Sequence, residues 1–323
     1  MATSMTIHSP LASPRATKAV LEQFGLVTKK SLGQHFLVDD GVVGRILALA
    51  EVGEADTILE VGPGIGTLTL ALLQQAAAVI AIEKDASLLA ALAHTTKPYA
   101  THFTLIQGDA LSPLCLPFLP PLPANLSPLS SQEPSPCSPG LPTKLVANLP
   151  YAVAATIVLD YFQKLPSLQS ATVMVQQEVA QRMMAQPGSK AYGAYTVKLQ
   201  LFALPVGSFA VAPSNFMPPP RVDSTVIRLN RCRRQSSPQL LNAASFLAEA
   251  AFAQRRKNIR NSMRAHFALN GVDPDVVDQL LQSARVSPKL RGETLAVEQY
   301  RELGQLYLED QGLTHQVPPS SLF

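Results

Sequence analysis

Five apolar, β-branched runs in the first two thirds of the chain constrain the fold more than any other feature. They span residues 56–62, 78–83, 103–109, 144–150 and 171–177. Each run is almost continuously apolar instead of alternating with polar residues, which is typical of parallel strands buried on both faces. Segments with helical patterning follow most of them, at 64–76, 85–94, 153–164 and 177–185. This order predicts parallel strands joined by helical crossovers.

Two further runs, 206–211 and 224–230, have no helix between them and predict an antiparallel hairpin at the edge of the sheet. Together the seven runs predict an α/β fold with a doubly wound sheet whose last strand is antiparallel. Such sheets bind ligands at the carboxyl ends of their strands.

The 323 residues are enough for such a core and a smaller second domain. We expect an N-terminal extension over 1–28, a ligand-binding α/β domain over 29–235 and a helical domain over 238–323. Residues 111–143 hold ten prolines and one charged residue, and they predict an insertion that loops outward.

The stretch EVGPGIGTL (60–68) follows the first strand and opens the first helix. It places Gly62, Gly64 and Gly66 at the ligand-binding edge of the sheet. A dinucleotide fingerprint would have its third glycine one position later, where this chain has Thr67. The spacing therefore favours S-adenosylmethionine over a nicotinamide cofactor, although a purely structural turn is the alternative.

Acidic side chains end the next two strands. Glu83 lies 21 positions after Gly62, where a carboxylate can accept hydrogen bonds from two ribose hydroxyls. Asp109 could accept from the amine of a cofactor adenine. The alternatives are a solvated strand-end charge for Glu83 and a helix cap for Asp109.

The fourth strand ends in Asn148-Leu-Pro-Tyr. Asn and Pro are common at an ordinary strand exit, so a simple turn is one interpretation. The other makes Asn148 a hydrogen-bonding group on a rigid corner, with Tyr151 as a stacking platform. A glycine-rich turn, two acids and this corner on four strand ends together favour a methyltransferase.

A basic segment follows the sheet. Residues 228–264 contain nine Lys or Arg and one acid, although the net charge of the chain is only +3. We expect 251–264 to be helical, with Arg256, Arg260 and Arg264 on one face. Phosphate binding to RNA is the favoured interpretation and a solvated charged face is the alternative.

The chain resembles the small-subunit (16S) ribosomal RNA adenine N6,N6-dimethyltransferases. The resemblance runs from about residue 29 to 304, interrupted by 111–143. Its motifs are KKSLGQHFLVD, EVGPGIGTLT, IEKD, QGDA, ANLPY, SKAYG, SNFMPPPRVDS, AFAQRRKNIRNS and SPKLRGETL. It implies a Rossmann-like class I methyltransferase with a small C-terminal helical domain. The implied activity is transfer of two methyl groups to N6 of each of two adjacent adenosines near the 3′ end of 16S rRNA.

The resemblance also implies roles for individual residues. The implied cofactor contacts are His35, Leu37, Gly62, Gly64, Glu83, Asp109 and Asn148. The family more often has Asn at the position of His35, and an imidazole can still donate one hydrogen bond. For RNA we expect Lys190, Arg255, Arg256, Lys257, Arg260 and Arg264.

The implied catalytic residues are Asn148, Leu149, Pro150, Tyr151 and Phe216. An adenine amine is a poor nucleophile unless acceptors localise its lone pair. The Asn148 side-chain oxygen and the Leu149 carbonyl are the expected acceptors, and Pro150 fixes the carbonyl before it. Tyr151 and Phe216 would stack on a flipped base, although Phe216 is equally compatible with the core. No general base is expected.

Two rival functions share part of this pattern. One is a 23S rRNA adenine methyltransferase of the erythromycin-resistance type, and the other is a non-catalytic RNA-binding assembly or transcription factor. Three widely spaced cysteines, Cys115, Cys137 and Cys232, predict neither a disulfide framework nor a zinc site. We expect a cytoplasmic monomer that has no metal and no membrane span.

Overall fold

The computed structural model describes residues 8–28, 34–112, 140–233 and 236–310. The chain folds into two compact units. The first, called here the α/β unit, comprises Met1–Gln177 and Val206–Asn230. The second, called the helical unit, comprises Glu178–Pro205 and Arg231–Phe323.

The described residues form the strands β1 (Phe36–Leu37), β2 (Thr57–Val61), β3 (Ala78–Glu83), β4 (Phe103–Gln107), β5 (Lys144–Asn148), β6 (Ser170–Gln176), β7 (Ala203–Val211), β8 (Phe216–Met217) and β9 (Ser224–Arg231). Their helices are α1 (Pro14–Gln23), α2 (Asp40–Ala50), α3 (Thr67–Leu73), α4 (Leu89–Thr95), α5 (Ala154–Lys164), α6 (Gln177–Met183), α7 (Ala194–Phe202), α8 (Pro238–Phe252), α9 (Ile259–Leu269), α10 (Val276–Ser283) and α11 (Val297–Asp310).

The main sheet has seven strands in the order β4-β3-β2-β5-β6-β9-β7. Strands β4, β3, β2, β5 and β6 pair in parallel, and β9 runs antiparallel to β6. Every residue of β2 is buried, because helices cover both faces of a doubly wound sheet. The predicted doubly wound sheet with an antiparallel last strand is therefore confirmed.

The N-terminal extension is part of the fold from residue 8 onward. The Ser13 side chain caps α1 by accepting from the Ala16 amide. Val20 of α1 packs in a core cluster with Ile65. The Asp40 carboxylate accepts from the backbone of the residues just before α1. Sequence patterning alone did not reveal this packing.

Two predicted features lie wholly or largely outside the described residues. The structure describes neither 113–139 of the proline-rich insertion nor Cys115 and Cys137. Cys232 is a free thiol. Within the described ranges, no helix combines the length and apolar character that a membrane span needs.

The sequence predicted that the α/β domain extends to residue 235. In the structure, α6 and α7 belong to the helical unit instead. The Tyr192 hydroxyl donates to the Leu295 carbonyl over 2.9 Å. The largely buried Lys198 ammonium of α7 pairs with Glu249 of α8. These long-range contacts hold α7 to the helical unit, and hydrophobic patterning does not encode them.

The predicted helix over 251–264 is wrong. Helix α8 ends at Phe252, a turn follows, and α9 begins at Ile259. The Asn258 side chain accepts from the Asn261 amide over 2.9 Å and so caps α9. Asparagine is a strong N-cap, and this cap starts a new helix where the basic run suggested a continuous one.

Candidate active site

A cavity of about 600 Å³ lies in the α/β unit at the carboxyl ends of β2, β3 and β5. Most residues expected at the active site line this cavity. They are His35, Leu37, Gly62, Gly64, Glu83, Asp109, Asn148, Leu149, Pro150 and Tyr151. Phe216 is not among the lining residues, and the expected RNA-binding residues belong to the helical unit.

The glycine-rich turn forms one wall of the cavity. Gly62, Gly64 and Gly66 have φ values of 71°, 63° and 94°, in the left-handed region that favours glycine. A Cβ at Gly64 would lie 3.1 Å from the Phe36 ring. The turn therefore needs glycine both for its backbone shape and for the close approach of its neighbours.

Glu83 joins this turn to the end of β3. Its side chain is only 6% exposed, and Oε2 accepts from the Gly64 amide over 3.2 Å. Oε1 accepts from the Asp85 amide over 2.8 Å. Burial raises the pKa of Glu83, and the two backbone donors oppose that shift. The carboxylate is thus fixed in place at the cavity wall.

Asp109 is in a more open environment. Its Oδ2 pairs with Lys84 Nζ at 2.8 Å, and its Oδ1 accepts from the Leu111 amide. The hydrogen bond from Lys84 lowers the pKa of Asp109. The Asp109 side chain therefore closes a turn, and the described residues contain no helix that it caps. Its contact with a cofactor adenine stays a prediction.

The Asn148 side chain is oriented by one hydrogen bond. Its Nδ2 donates to the His35 carbonyl over 3.2 Å. No residue in the described part of the chain donates to its Oδ1. The next peptide is held in the sheet, because the Leu149 amide donates to the Met174 carbonyl over 3.1 Å. This corner presents a side-chain acceptor at the cavity.

The Tyr151 ring stacks on the His35 ring, with centroids 5.8 Å apart and an interplanar angle of 23°. The Tyr151 hydroxyl lies 2.7 Å from Ser224 Oγ. His35 Nδ1 donates to the Pro218 carbonyl over 2.7 Å. The proton on this nitrogen is therefore used within the protein, and the expected contact of His35 with a cofactor stays a prediction.

Phe216 lies in the core. Its side chain is 3% exposed and belongs to a cluster that includes Leu37, Val42 and Met174. Of the two interpretations made from the sequence, the structure shows the core one. Stacking on a base would require this ring to leave its packed position.

Glu60 also lines the cavity, and the sequence pattern assigned it no role. The side chain is 1% exposed, and Oε2 has no hydrogen-bond partner among the described residues. Burial raises the pKa of Glu60 to about 8; Thr69 opposes this and the Glu83 charge adds to it. Its sequence signal was an acid within an otherwise apolar strand end.

The basic residues of α9 are paired. Arg260 Nη2 donates to Asp278 Oδ2 over 2.7 Å, and Arg264 lies 2.8 Å from Asp275 and 3.1 Å from Asp278. Hydrogen bonds and charge from Arg260 lower the pKa of Asp278. The expected helical face of Arg256, Arg260 and Arg264 is wrong, because Arg256 lies in the turn before α9. The other two arginines lie on α9 and pair with acids from the segment around α10.

The turn between α8 and α9 carries the remaining bases. Arg255 donates to the backbone carbonyls of Lys190 and Tyr192, which brings the expected RNA-binding residue Lys190 beside this turn. Arg256 and Lys257 are exposed, and no ion pair links them to another described residue. Within 251–264, the exposed bases lie in this turn, whereas those on α9 are half-buried.

Comparison with known proteins identifies relatives over most of the chain. The family model described as ribosomal RNA adenine dimethylase matches residues 25–303. A protein named ribosomal RNA small subunit methyltransferase A from Staphylococcus aureus (strain Newman) is 35% identical over 301 residues, covering 93% of this chain and 96% of the relative. Its namesake from Rhodococcus opacus (strain B4) is 39% identical over 295 residues, covering 89% and 92%.

Two solved structures share the fold. A dimethyladenosine transferase from Plasmodium falciparum aligns with a TM-score of 0.66 and 22% identity, covering 86% of this chain and 98% of the other. The 23S rRNA methyltransferase ErmE aligns with a TM-score of 0.58 and 24% identity, covering 84% and 98%. The extent of the family match and of the curated relatives shows that this chain belongs to the ribosomal RNA adenine dimethylase family.

Proposed function

We propose that this protein transfers methyl groups from S-adenosylmethionine to N6 of two adjacent adenosines near the 3′ end of 16S rRNA. Its substrate would be the small ribosomal subunit or an assembly intermediate, and the protein would act as a cytoplasmic monomer. The observation that carries this proposal is the cavity in which Gly62, Glu83 and Asn148 meet at three strand ends. Family membership supports the reaction type.

The lining residues fit S-adenosylmethionine. The left-handed glycines leave room for a ligand to approach the backbone, and a Cβ on Gly62 would extend to 3.6 Å from Pro150. Glu83 offers a fixed carboxylate for ribose hydroxyls, and Asp109 an acceptor for the adenine amine. The buried Glu60 Oε2 and Thr67 Oγ1 lack partners among the described residues. When bound, this cofactor supplies a methyl group already activated on a sulfonium.

The corner at Asn148 would hold the target amine. Asn148 Nδ2 is used by the His35 carbonyl, so the side-chain oxygen can accept one N–H of the amine. The Leu149 carbonyl would accept the other, and Pro150 restricts the backbone that directs it. These acceptors localise the nitrogen lone pair, and correct positioning then supplies most of the rate.

Tyr151 would provide the stacking face for the flipped base. One face of its ring is next to His35, and the hydroxyl is close to Ser224, so the ring plane is fixed before RNA arrives. Aromatic stacking on a base contributes about 1–3 kcal/mol. A base must therefore use the other face of Tyr151 or displace the imidazole.

Phosphate contacts would come from the turn between α8 and α9. This turn contains Arg255, Arg256 and Lys257, and Lys190 lies beside it. Arg256 and Lys257 form no ion pair with another described residue. Exposed bases of this kind position RNA without reading its sequence.

The experiment is methylation of isolated subunits from cells that lack the activity. Labelled S-adenosylmethionine, purified protein and either small or large subunits are combined, and modified nucleosides are identified by mass spectrometry. We expect N6,N6-dimethyladenosine at two adjacent positions of 16S rRNA. Product on 23S rRNA would instead support the resistance-type activity, and RNA binding without methylation would support a non-catalytic factor.

A further inference from the structure

The ring of His35 lies against the aromatic side chain assigned to the target base. It stacks on Tyr151 with ring centroids 5.8 Å apart and an interplanar angle of 23°. His35 Nδ1 lies 2.7 Å from the Pro218 carbonyl, and a carbonyl can only accept, so this nitrogen carries the proton. Rotation of the imidazole away from Tyr151 would break this hydrogen bond. The Pro218 carbonyl therefore keeps the imidazole stacked on Tyr151.

The backbone next to His35 is also fixed. Strand β1 begins one residue later and pairs antiparallel with β8, where Phe36 lies opposite Met217. Leu37, the second residue of β1, is buried in the core. The His35 carbonyl accepts from Asn148 Nδ2 over 3.2 Å. One residue on a rigid strand thus contacts both the stacking ring and the acceptor corner of the proposed target site.

Tyr151 has a second restraint at the tip of its ring. Its hydroxyl lies 2.7 Å from Oγ of the fully buried Ser224, at the start of β9. The hydroxyl oxygen lies on the axis about which the ring rotates relative to Cβ, so this contact does not oppose that rotation. A ring stacked on one face does oppose it. Because Tyr151 is only half-buried and lines the cavity, His35 is the contact that sets its ring plane.

We propose that His35 is a positioning residue for the target base, whose imidazole supports one face of Tyr151 so that the flipped adenine stacks on the opposite face. This inference rests on the proposed function. If the adenine instead replaced the imidazole, the stack on Tyr151 and the hydrogen bond to Pro218 would both be lost. Stacking on the opposite face keeps both. A ring plane that is set in advance also helps to hold the base in line for transfer.

The experiment measures single-turnover methylation of small subunits at saturating S-adenosylmethionine. His35→Ala removes the ring and keeps the backbone carbonyl that Asn148 uses. Its rate should fall about two- to tenfold, which is the contribution of an aromatic pair beyond its burial. His35→Phe replaces the ring and should bring the rate to within about twofold of the wild type. If the base had to displace the imidazole, His35→Ala would instead react faster or bind subunits more tightly.

A double-mutant cycle tests whether His35 acts through Tyr151. In Tyr151→Leu there is no ring to position, so adding His35→Ala should change the rate by less than about twofold. A merely structural role for His35 would lower the rate by the same factor in both backgrounds. His102→Ala is the matched control, because His102 is an exposed histidine beside Tyr99, with centroids 6.2 Å apart, and does not line the cavity. It should leave the rate unchanged.

The outcomes separate the inference from the proposed function. A wild-type rate in His35→Ala, or an equal loss in both Tyr151 backgrounds, would overturn the role of His35 and leave the methyltransferase intact. Weaker binding of S-adenosylmethionine in calorimetry, with normal turnover at saturation, would make the imidazole a cofactor contact instead. No methylation by the wild-type protein would overturn both proposals. If His35→Ala does not fold, His35→Asn takes its place, because it keeps a donor for Pro218, lacks the ring and should show the same loss.

Discussion

Two buried acids of the cavity, Glu60 and Glu83, and two arginines of α9, Arg260 and Arg264, differ in whether an ion pair compensates their charge. In the cavity, Glu60 and Glu83 are buried, and no ion pair links either of them to a described residue. On the helical unit, Arg260 and Arg264 are partly exposed and share the carboxylate of Asp278.

This difference indicates which charges are available to a ligand. A buried carboxyl without a counter-ion is costly to the protein alone and becomes favourable when a ligand brings the opposite charge. A surface arginine that already has a carboxylate partner must give it up before it can bind phosphate. Arg256 and Lys257, which lack such partners among the described residues, are the better candidates for RNA contact.

The largest effect should follow Asn148→Ala. The change removes the proposed acceptor for the target amine, and loss of one preorganised hydrogen-bonding group commonly costs about 10²–10³ in turnover. Affinity for S-adenosylmethionine should stay within a few fold, because the glycine turn and Glu83 are untouched. Methylation of small subunits and calorimetry measure the two quantities.

The exposed Asn242→Ala on α8 is the control for this test and should leave both quantities unchanged. Near-normal turnover in Asn148→Ala would mean that the Asn148 corner is only an ordinary turn at the end of a strand.

Glu83→Ala should instead weaken cofactor binding. The ribose hydroxyls lose their acceptor, and the amides of Gly64 and Asp85 lose theirs as well. Such losses amount to about 1–3 kcal/mol, or about fivefold to 150-fold in affinity. Calorimetry with S-adenosylmethionine gives the value, and Glu54→Ala serves as the exposed control. An unchanged affinity would show that Glu83 supports only the protein's own loop.

The residues that line the cavity at the strand ends could be predicted from the sequence, because the topology of the sheet alone places them side by side. Parallel strands place their carboxyl ends at one edge, so Gly62, Glu83, Asp109 and Asn148 had to meet once the sheet was recognised. Glu60 was not predicted as a site residue. Its interest depends on burial and on the lack of a hydrogen-bond partner, and a strand pattern reveals neither.

The basic segment was less predictable because its partners come from other parts of the chain. The count of bases over 228–264 did not include Asp275 and Asp278, which pack against Arg260 and Arg264. The helix break likewise depends on one cap at Asn258 within a sequence that is otherwise suited to a helix. The local count of bases therefore overestimated how many positive side chains lack a carboxylate partner.

A paired set of double variants tests which arginines bind RNA. Arg256→Gln with Lys257→Gln should flatten the dependence of log affinity on log salt by about 0.7–0.9 per lost phosphate contact. Arg260→Gln with Arg264→Gln should change this slope little and lower thermal stability, since the links to Asp278 are lost. Filter binding to small subunits over a range of salt measures the slope. A larger slope change in the second pair would reverse the assignment.

The smallest effect concerns the ion pairs of Asp278 themselves. Arg260 lowers the pKa of this carboxyl in the folded protein, so its contribution to stability is present above the ordinary pKa of Asp and is lost as the pH falls through the lowered value. Asp278→Asn should therefore lower the melting temperature slightly at neutral pH, and this difference should shrink as the pH falls below the ordinary pKa of Asp, about 3.9. Asp273→Asn is the matched control, because an amide can still accept from the Asp275 backbone. Equal melting temperatures for Asp278→Asn and the wild type at neutral pH would mean that solvent screening cancels these pairs, as it does for many exposed ones. In that case Arg260 and Arg264 would be as available to phosphate as the residues of the turn.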